Sequence, residues 1–252
     1  AWKKRDVLNA SEYALMINEG AINAGIAPKF SDPYSYGQGT NWQDEVFNNN
    51  APMMNHQVSV SGASEKVNYL FSLGFYTQDG IVGGNFDRSN YERLTLRSNT
   101  QYTLFDESKE RNWLNSLKVT SNLSYARIKS TNFDDNSTWG TPLGSALALS
   151  PILNVYDETE EAIKAQFDKY GTTAEYTPVY DPRNGKLFSI PGEFGEMSNP
   201  IAKLSLPGDK HWSHKFVANF SAELQLWDNL KFKTSYGADL SFWGYDSYRP
   251  LY

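Results

Sequence analysis

Apolar and polar residues alternate with a period of two along several stretches of this chain. In one such stretch, 66–78, every second position from Val67 to Phe75 is aromatic or aliphatic, and the positions between them are mostly small or polar. Side chains of a β-strand point alternately to its two faces, so this stretch predicts a strand with one apolar and one mostly polar face. Similar alternation occurs at 54–61, 94–104, 117–125, 216–226 and 230–242. The sequence therefore predicts six strands, several of which exceed the roughly 9–11 residues that a tilted strand needs to cross a bilayer.

The connections between the predicted strands alternate in length. Positions 62–65, 105–112 and 228–229 form short connections, whereas 80–89 and 131–212 form long ones. Outer-membrane β-barrels alternate in this way between short periplasmic turns and long external loops. We therefore predict an all-β fold that is part of a large antiparallel transmembrane β-barrel of the outer-membrane type, with long, partly helical external loops. The predicted location is the bacterial outer membrane, which the chain would cross several times.

Aromatic residues are abundant, at 16 Tyr, 14 Phe and 7 Trp in 252 residues, and the two interface girdles of a membrane barrel require such residues. Phe105, Trp113 and Trp227 lie beside short connections, and Tyr91, Tyr125 and Trp243 lie towards the opposite strand ends. The sequence thus predicts one girdle at each end of the strands. A soluble β-domain rich in tyrosine is the alternative, but it would have to cover the apolar face with a second sheet.

The alternation also assigns each strand residue to a face. The apolar set is predicted to face lipid and consists of Val67, Tyr69, Phe71, Leu73, Leu94, Leu96, Phe216, Phe220, Phe232 and Tyr236. The polar set is predicted to face the lumen and consists of Arg93, Thr95, Arg97, Asn99, Lys118, Asn122, Glu223, Lys231, Lys233 and Asp239. Six strands are too few to close around a lumen, and an open edge leaves backbone groups unpaired in lipid. We therefore expect further strands from a longer chain to complete the barrel.

This interpretation divides the chain into four regions. They are an external loop at 1–52, strands joined by short turns and one longer loop at 53–130, a long external loop at 131–212, and a barrel hairpin at 213–252. The first region is predicted to contain a helix over about 9–24, because Asn9 and Glu12 have the spacing of a capping box. Gly25 and Pro28 then supply the stop.

The long region 131–212 is predicted to be structured internally, since compact domains seldom carry structureless loops longer than about 15 residues. Thr141 and Pro142 favour the start of a short helix, with Pro142 at its first position. Asp157 is predicted to cap a second helix that has acidic residues in its first turn and ends at Gly171. The stretch 158–197 has no assigned function.

Composition excludes several classes of protein. The net charge of -6 provides no basic footprint for nucleic acid, and the absence of cysteine excludes disulfides and thiolate chemistry. No apolar run approaches the roughly 20 residues of a membrane helix, in keeping with a mean hydropathy of -0.57. Residues 1–5 are basic but no apolar stretch follows, so no signal peptide is predicted. We expect an internal segment of a longer protein, whose N- and C-terminal portions are missing.

Motifs that carry chemistry are not evident. His211 and His214 lie where a loop becomes a strand, with no third metal ligand nearby. Residues 134–136 contain two aspartates and an asparagine but lack the spaced ligands and closing glutamate of a calcium-binding hand. No serine lies in a nucleophile elbow. The sequence therefore predicts no catalytic residue, metal site or cofactor, and a protein that is not an enzyme.

Four stretches of the chain resemble the SusC/RagA family of TonB-dependent outer-membrane transporters. They are DVLNASEY at 6–13, NWQDEVF at 41–47, APMMNHQVSVSG at 51–62 and SPILNVYD at 150–157. The resemblance implies a barrel of about 22 strands with a plugged lumen, in which the strands predicted here are the second to the seventh. It also implies active import of a glycan or peptide, energised by the TonB complex through the plug, with a SusD-like surface lipoprotein as partner.

The expected function is thus import of an oligosaccharide or peptide nutrient through a barrel embedded in outer-membrane lipid. Aromatic faces stack well on sugars, so we predict substrate contacts at Trp42, Phe133, Trp139 and Tyr156; local packing is the alternative for Trp42. A passive porin or adhesion barrel is one alternative function. A soluble β-domain that binds carbohydrate is another.

Overall fold

Six strands form a single antiparallel sheet in the computed structural model, which describes residues 3–106, 113–133, 140–171, 177–191 and 197–247. The strands are β1 (Met53–Ala63), β2 (Val67–Asp79), β3 (Asn90–Phe105), β4 (Ser116–Asn132), β5 (Asp209–Trp227) and β6 (Leu230–Asp246). They follow one another in chain order across the sheet, with β1 and β6 at its edges. The sheet is not closed.

The strand register is continuous over most of each pair. Between β4 and β5 it runs without interruption from Ser116 opposite Gln225 to Asn132 opposite Asp209. A slip of one residue would turn every side chain of a strand to the other face, so this register fixes two faces across the whole sheet. Bulges occur only near the short connections among the described residues, between Thr103 and Phe105 and between Gln225 and Trp227.

β4 and β5 extend beyond the predicted strand ends. The sequence predicts a long loop at 131–212, whereas the strands pair up to Asn132 and from Asp209. Apart from Trp212, the added residues, such as Lys210 and His211, are polar on both faces. Alternation marks a strand only where one face is apolar and the other is wet, so a strand with two polar faces carries no signal in the sequence.

All long segments meet at one end of the sheet. The segment before β1, the β2–β3 connection and the β4–β5 connection lie at this loop end, and the short connections lie at the opposite turn end. The described residues contain two short 3₁₀ helices, Pro33–Tyr36 and Gly84–Phe86, and five α-helices: α1 (Ala10–Asn23), α2 (Trp42–Val46), α3 (Pro142–Ala148), α4 (Glu160–Tyr170) and α5 (Pro200–Ser205). No helix among the described residues is long and apolar enough to span a membrane.

Capping explains where these helices begin. The capping box of α1 is confirmed: Asn9 Oδ1 accepts from the Glu12 amide at 2.9 Å, and the Asn9 amide donates to Glu12 Oε2 at 3.0 Å. Helix α3 begins at Pro142 as predicted. The predicted cap of α4 is wrong, because Thr159 caps the helix. The Asp157 carboxylate accepts instead from Gln166 Nε2 at 2.7 Å and does not cap.

The hydrophobic core lies in the loops. We call it the loop unit, and its buried members are Trp42, Val46, Val82, Ala146, Leu149, Phe188, Met197, Ile201, Ala202 and Leu204. Three long segments of the chain contribute to it, and α2, α3 and α5 pack against one another. In contrast, no apolar side chain of the six strands is buried in the described structure.

Candidate functional site

The polar face of the sheet brings together the residues predicted to face the lumen. The register places Arg93, Thr95, Arg97 and Asn99 of β3 on the same face as Lys118 and Asn122 of β4, Glu223 of β5, and Lys231, Lys233 and Asp239 of β6. The face continues onto β1 and β2, where the Ser59 and Ser72 hydroxyls are 3.0 Å apart and Gln57 donates to Ser72 at 3.1 Å. It forms one continuous polar wall.

Three asparagines cross the middle of this polar wall. Asn99 lies opposite Asn122, and Asn122 lies opposite Asn219. The next row towards the turn end carries Gln101 and Thr120. Directly paired residues in an antiparallel sheet have Cβ atoms about 4.5–5.5 Å apart, and each amide offers two donors and an acceptor. The mid-wall is therefore a dense row of hydrogen-bonding groups.

The opposite, apolar face carries the residues predicted to face lipid. The register places Val67, Tyr69, Phe71, Leu73, Leu94, Leu96, Phe216, Phe220, Phe232 and Tyr236 together on it. Tyr236 is 71% exposed and Phe232 is 53% exposed. Such a wide exposed apolar surface marks a site of contact with another apolar phase.

Two residues predicted for the girdle at the loop end lie on the wrong face. Tyr91 and Trp243 share a face with Arg93, so they belong to the polar wall. Tyr125 does lie on the apolar face. Trp212, which the sequence analysis missed, lies there too, and its ring covers Gly244 so closely that a Cβ at that glycine would be 2.6 Å from Cζ2. The sheet face on which an aromatic side chain lies depends on whether its position is odd or even along the strand, and not only on its distance from the strand end.

The two histidines of the β5 start cannot form a metal pair. His211 lies on the polar wall and His214 on the apolar face, because they are three residues apart on one strand. His214 Nδ1 is instead 2.8 Å from the hydroxyl oxygen of Tyr125. Among the described residues, no group of three side chains is arranged to hold a metal ion.

Three of the four predicted substrate contacts, Trp42, Phe133 and Tyr156, fall in or beside the loop unit. Trp42 is only 2% exposed, and its Nε1 donates to the Ser150 carbonyl at 3.1 Å. This burial corrects the expectation of a direct contact, because a buried indole has no free face for a sugar. Phe133 is half-buried against the same core, and Trp139 lies outside the described residues.

Tyr156 is half-buried in a cluster that the sequence analysis missed. Its ring stacks on Phe188 with centroids 5.1 Å apart, and its hydroxyl donates to Asp181 Oδ2 at 2.7 Å. Asp181 is fully buried, and Arg183 donates to it from Nη2 at 2.6 Å and from Nε at 2.9 Å. The segment from Asp181 to Gly185, which contains Pro182 and Asn184, has the composition of a turn. This composition is the feature of the sequence from which the turn beside Tyr156 could have been predicted.

The hydrogen bonds of this cluster shift the pKa values of Asp181 and Tyr156. Donation from Arg183 lowers the pKa of Asp181 to about 2, although burial acts in the opposite direction. The pKa of Tyr156 is raised, first by burial and then by its hydrogen bond to Asp181. The Arg183 guanidinium carbon also lies 4.0 Å from the ring centroid of Phe86. Arg183 therefore ties the β4–β5 connection to the β2–β3 connection.

Comparison with known proteins points to one family. SusC of Bacteroides thetaiotaomicron, a TonB-dependent receptor, is 27% identical over 233 residues, which are 89% of this chain and 20% of SusC. A TonB-dependent receptor of Formosa agariphila is 31% identical over 215 residues, which are 85% of this chain and 17% of that receptor. The solved RagAB peptide importer in its closed-closed state matches 97% of this chain and 24% of its own, with a TM-score of 0.55 and 20% identity.

Over most of its length the chain is similar to SusC and other TonB-dependent receptors. No protein-family model matches it. The chain spans about a fifth of the length of the curated relatives it matches. The predicted fold class is confirmed: the open antiparallel sheet has the fold of part of the RagAB transporter barrel, and the loop unit lies at one end of the sheet.

Proposed function

We propose that the protein imports a glycan or peptide nutrient across the bacterial outer membrane. One observation carries the proposal: a single sheet with a polar wall on one side and, on the other, an apolar face whose large side chains are exposed or only half-buried. Such a sheet separates water from lipid, as the wall of a transport barrel does. The relatives named as TonB-dependent receptors and the RagAB peptide importer support transport as the activity.

In this proposal the polar wall lines the lumen and the apolar face contacts lipid. The long segments then lie outside the cell, and the loop unit shapes the external mouth of the barrel. The TonB complex acts through a plug domain, and a SusD-like surface lipoprotein covers the mouth. Both partners come from the family relationship, and they are part of the proposal.

Tyr156, Phe133 and Trp139 are the proposed aromatic contacts to substrate, and Trp42 is buried support. We expect Tyr156→Ala and Trp139→Ala to weaken nutrient binding, because each change removes a ring that stacks on substrate. Tyr156→Phe is the matched control, since it keeps the ring and loses only the hydroxyl that meets Asp181. Equal binding by all three variants would remove both residues from the proposed site.

Uptake by cells that express the full-length protein tests the function. We expect recovery in the outer-membrane fraction, uptake that stops when the proton-motive force is dissipated, and co-purification of a surface lipoprotein. Uptake that continues without the proton-motive force would indicate a passive porin. Recovery in the soluble fraction would indicate a carbohydrate-binding domain and would end the transport proposal.

A further inference from the structure

Charge is distributed unequally between the two faces of the sheet. The polar wall carries the cations Arg93, Arg97, Lys118, Lys215, Lys231 and Lys233 and the anions Asp209, Glu223 and Asp239. On the apolar face, three cations (Arg127, Lys129, Lys210) balance three anions (Asp79, Glu92, Asp246). The chain as a whole has a net charge of -6. The polar wall is therefore electropositive in an acidic protein.

Few of these cations are neutralised within the wall. Lys215 and Asp239 form an ion pair at 3.4 Å, the single one on the wall in the described part of the chain. The Arg97 neighbours across the strands are Ser72 and Ser124. The Arg93 guanidinium carbon lies 5.7 Å from the ring centroid of Tyr76.

The arginines and the lysines occupy different heights on the wall. Arg93 and Arg97 lie on the same strand, about 13 Å apart along it, between the loop end and the asparagine row. Lys118 and Lys233 lie nearer the turn end, on either side of Glu223 in one row. A substrate that passes from the loop end to the turn end meets cations, then amides, then cations again.

Arginine is suited to oxyanions because its planar fork donates two parallel hydrogen bonds to a carboxylate or a similar group. The row of Asn99, Asn122 and Asn219 suits sugar hydroxyls, because amides both donate and accept. From the row of Arg97 to the row of Gln101 the wall holds mostly amides and hydroxyls, and Leu70 and Val217 are its large apolar side chains. The combination fits an oligomer that is rich in hydroxyls and negatively charged.

We infer that the polar wall binds an acidic oligosaccharide, one that carries carboxylate or sulfate groups, through Arg93 and Arg97 above the asparagine row. This inference rests on the proposed import function and names the class of its substrate. Arg93 and Arg97 contact the anionic groups, and the asparagines hold the sugar hydroxyls between the two sets of cations.

Binding of the full-length protein in detergent to an oligosaccharide array tests the inference. Each uronate-bearing sugar is paired with its methyl ester, and each sulfated sugar with its desulfated form. We expect the acidic member of a pair to bind about tenfold more tightly than its neutral partner, because hydrogen bonds between charged groups are stronger than those between neutral ones. The preference should weaken as salt rises. The two kinds of pair separate carboxylate from sulfate as the recognised group.

Variants of the full-length protein test whether the polar wall causes the preference for acidic sugars. Arg93→Gln with Arg97→Gln should bring acidic and neutral partners to equal affinity. Arg127→Gln with Lys129→Gln is the matched control, because it removes the same charge from the opposite face and should leave the preference intact. Lys118→Gln with Lys233→Gln provides a second test at the other cation level, should the arginine variant fail to assemble.

The possible results distinguish a failure of the acidic-oligosaccharide assignment from a failure of the proposed import function. Equal or tighter binding of the neutral sugars, or of an acidic peptide included on the array, would overturn the acidic-oligosaccharide assignment and leave import in place. A preference that survives in both wall variants would also overturn it. If uptake assays show no import of any oligomer, the proposed function fails and the inference fails with it.

Discussion

The apolar face of the sheet and the loop unit hold similar side chains in opposite surroundings. Phe232 and Tyr236 on the sheet are more than half exposed, whereas Trp42 and Leu204 in the loop unit are 2% and 0% exposed. Both regions are rich in large apolar groups, but only the loop unit covers its own. The loop unit is thus built like a water-soluble domain. The sheet is built to be covered by something else, which we propose is lipid.

This contrast predicts that one kind of substitution has different costs in the two regions. In the loop unit, truncating a buried side chain loses transfer energy and leaves a cavity. On the apolar face, the same truncation leaves no cavity, because neighbouring lipid fills the space. A charge is costly there instead, since lipid offers it no partner. Variants of the full-length protein can therefore separate the two regions.

The largest effect is expected for Trp42→Ala in the loop unit. Loss of a buried indole should destabilise the loop unit by about 3–5 kcal/mol. Because proteolysis often follows the population of the open form, cleavage within the long segments should accelerate roughly 100- to 3,000-fold. Limited proteolysis of the folded protein measures this rate.

Trp113→Ala is the control for that experiment. Trp113 is 61% exposed and lies near the turn end, far along the sheet from the loop unit. The Trp113→Ala variant should leave the rate of cleavage of the long segments unchanged. Both variants should keep the barrel folded. Equal cleavage of both variants would mean that the loop unit does not depend on its own core.

A smaller effect is expected when arginine is placed on the sheet. Leu96→Arg puts a charge on the apolar face near mid-strand and should cost about 2–4 kcal/mol of unfolding free energy. Thr95→Arg, one residue away on the polar wall, should be much milder. Unfolding by urea in lipid vesicles measures both.

Phe220→Arg and Ser221→Arg repeat the comparison on β5. The first should behave like Leu96→Arg and the second like Thr95→Arg, because the register places them on corresponding faces. Equal costs within either pair would mean that the two faces of the sheet are wrongly assigned to lipid and lumen.

The same contrast explains what the sequence could predict. The face to which a strand residue points follows from whether its position is odd or even along the strand. Leu96 and Arg97 were therefore assigned to opposite faces without knowledge of any partner strand. The loop unit depends on contacts between distant segments, such as Trp42 with Ser150 across 108 positions, and no local pattern carries that information. The buried position of Trp42 was therefore visible only in the structure.

Errors in the prediction also have local physical causes. Tyr91 and Trp243 were assigned to a girdle by their distance from the strand ends, although their parity places them with Arg93 on the polar wall. Asp157 has the right residue type for a helix cap but is engaged by Gln166. In each case a rule based on type or distance was overridden by the direction in which the side chain points.

The smallest effect concerns the pH dependence of the loop unit at Asp181. Its pKa lies at about 2 in the folded protein, below its ordinary value of 3.8, chiefly because Arg183 donates to it. A lowered folded pKa stabilises the protein above the unfolded pKa, and this contribution is lost as pH falls from about 4 towards 2. The shift corresponds to roughly 2 kcal/mol of unfolding free energy, and solvent screening of the half-exposed Arg183 reduces it to about 1–2 kcal/mol.

We expect proteolysis of the wild type by an acid protease to accelerate as the pH falls from about 4 towards 2. In Asp181→Asn this part of the acceleration should be missing, because asparagine does not titrate. An identical acid response in both proteins would show that other carboxylates set the pH limit of the loop unit.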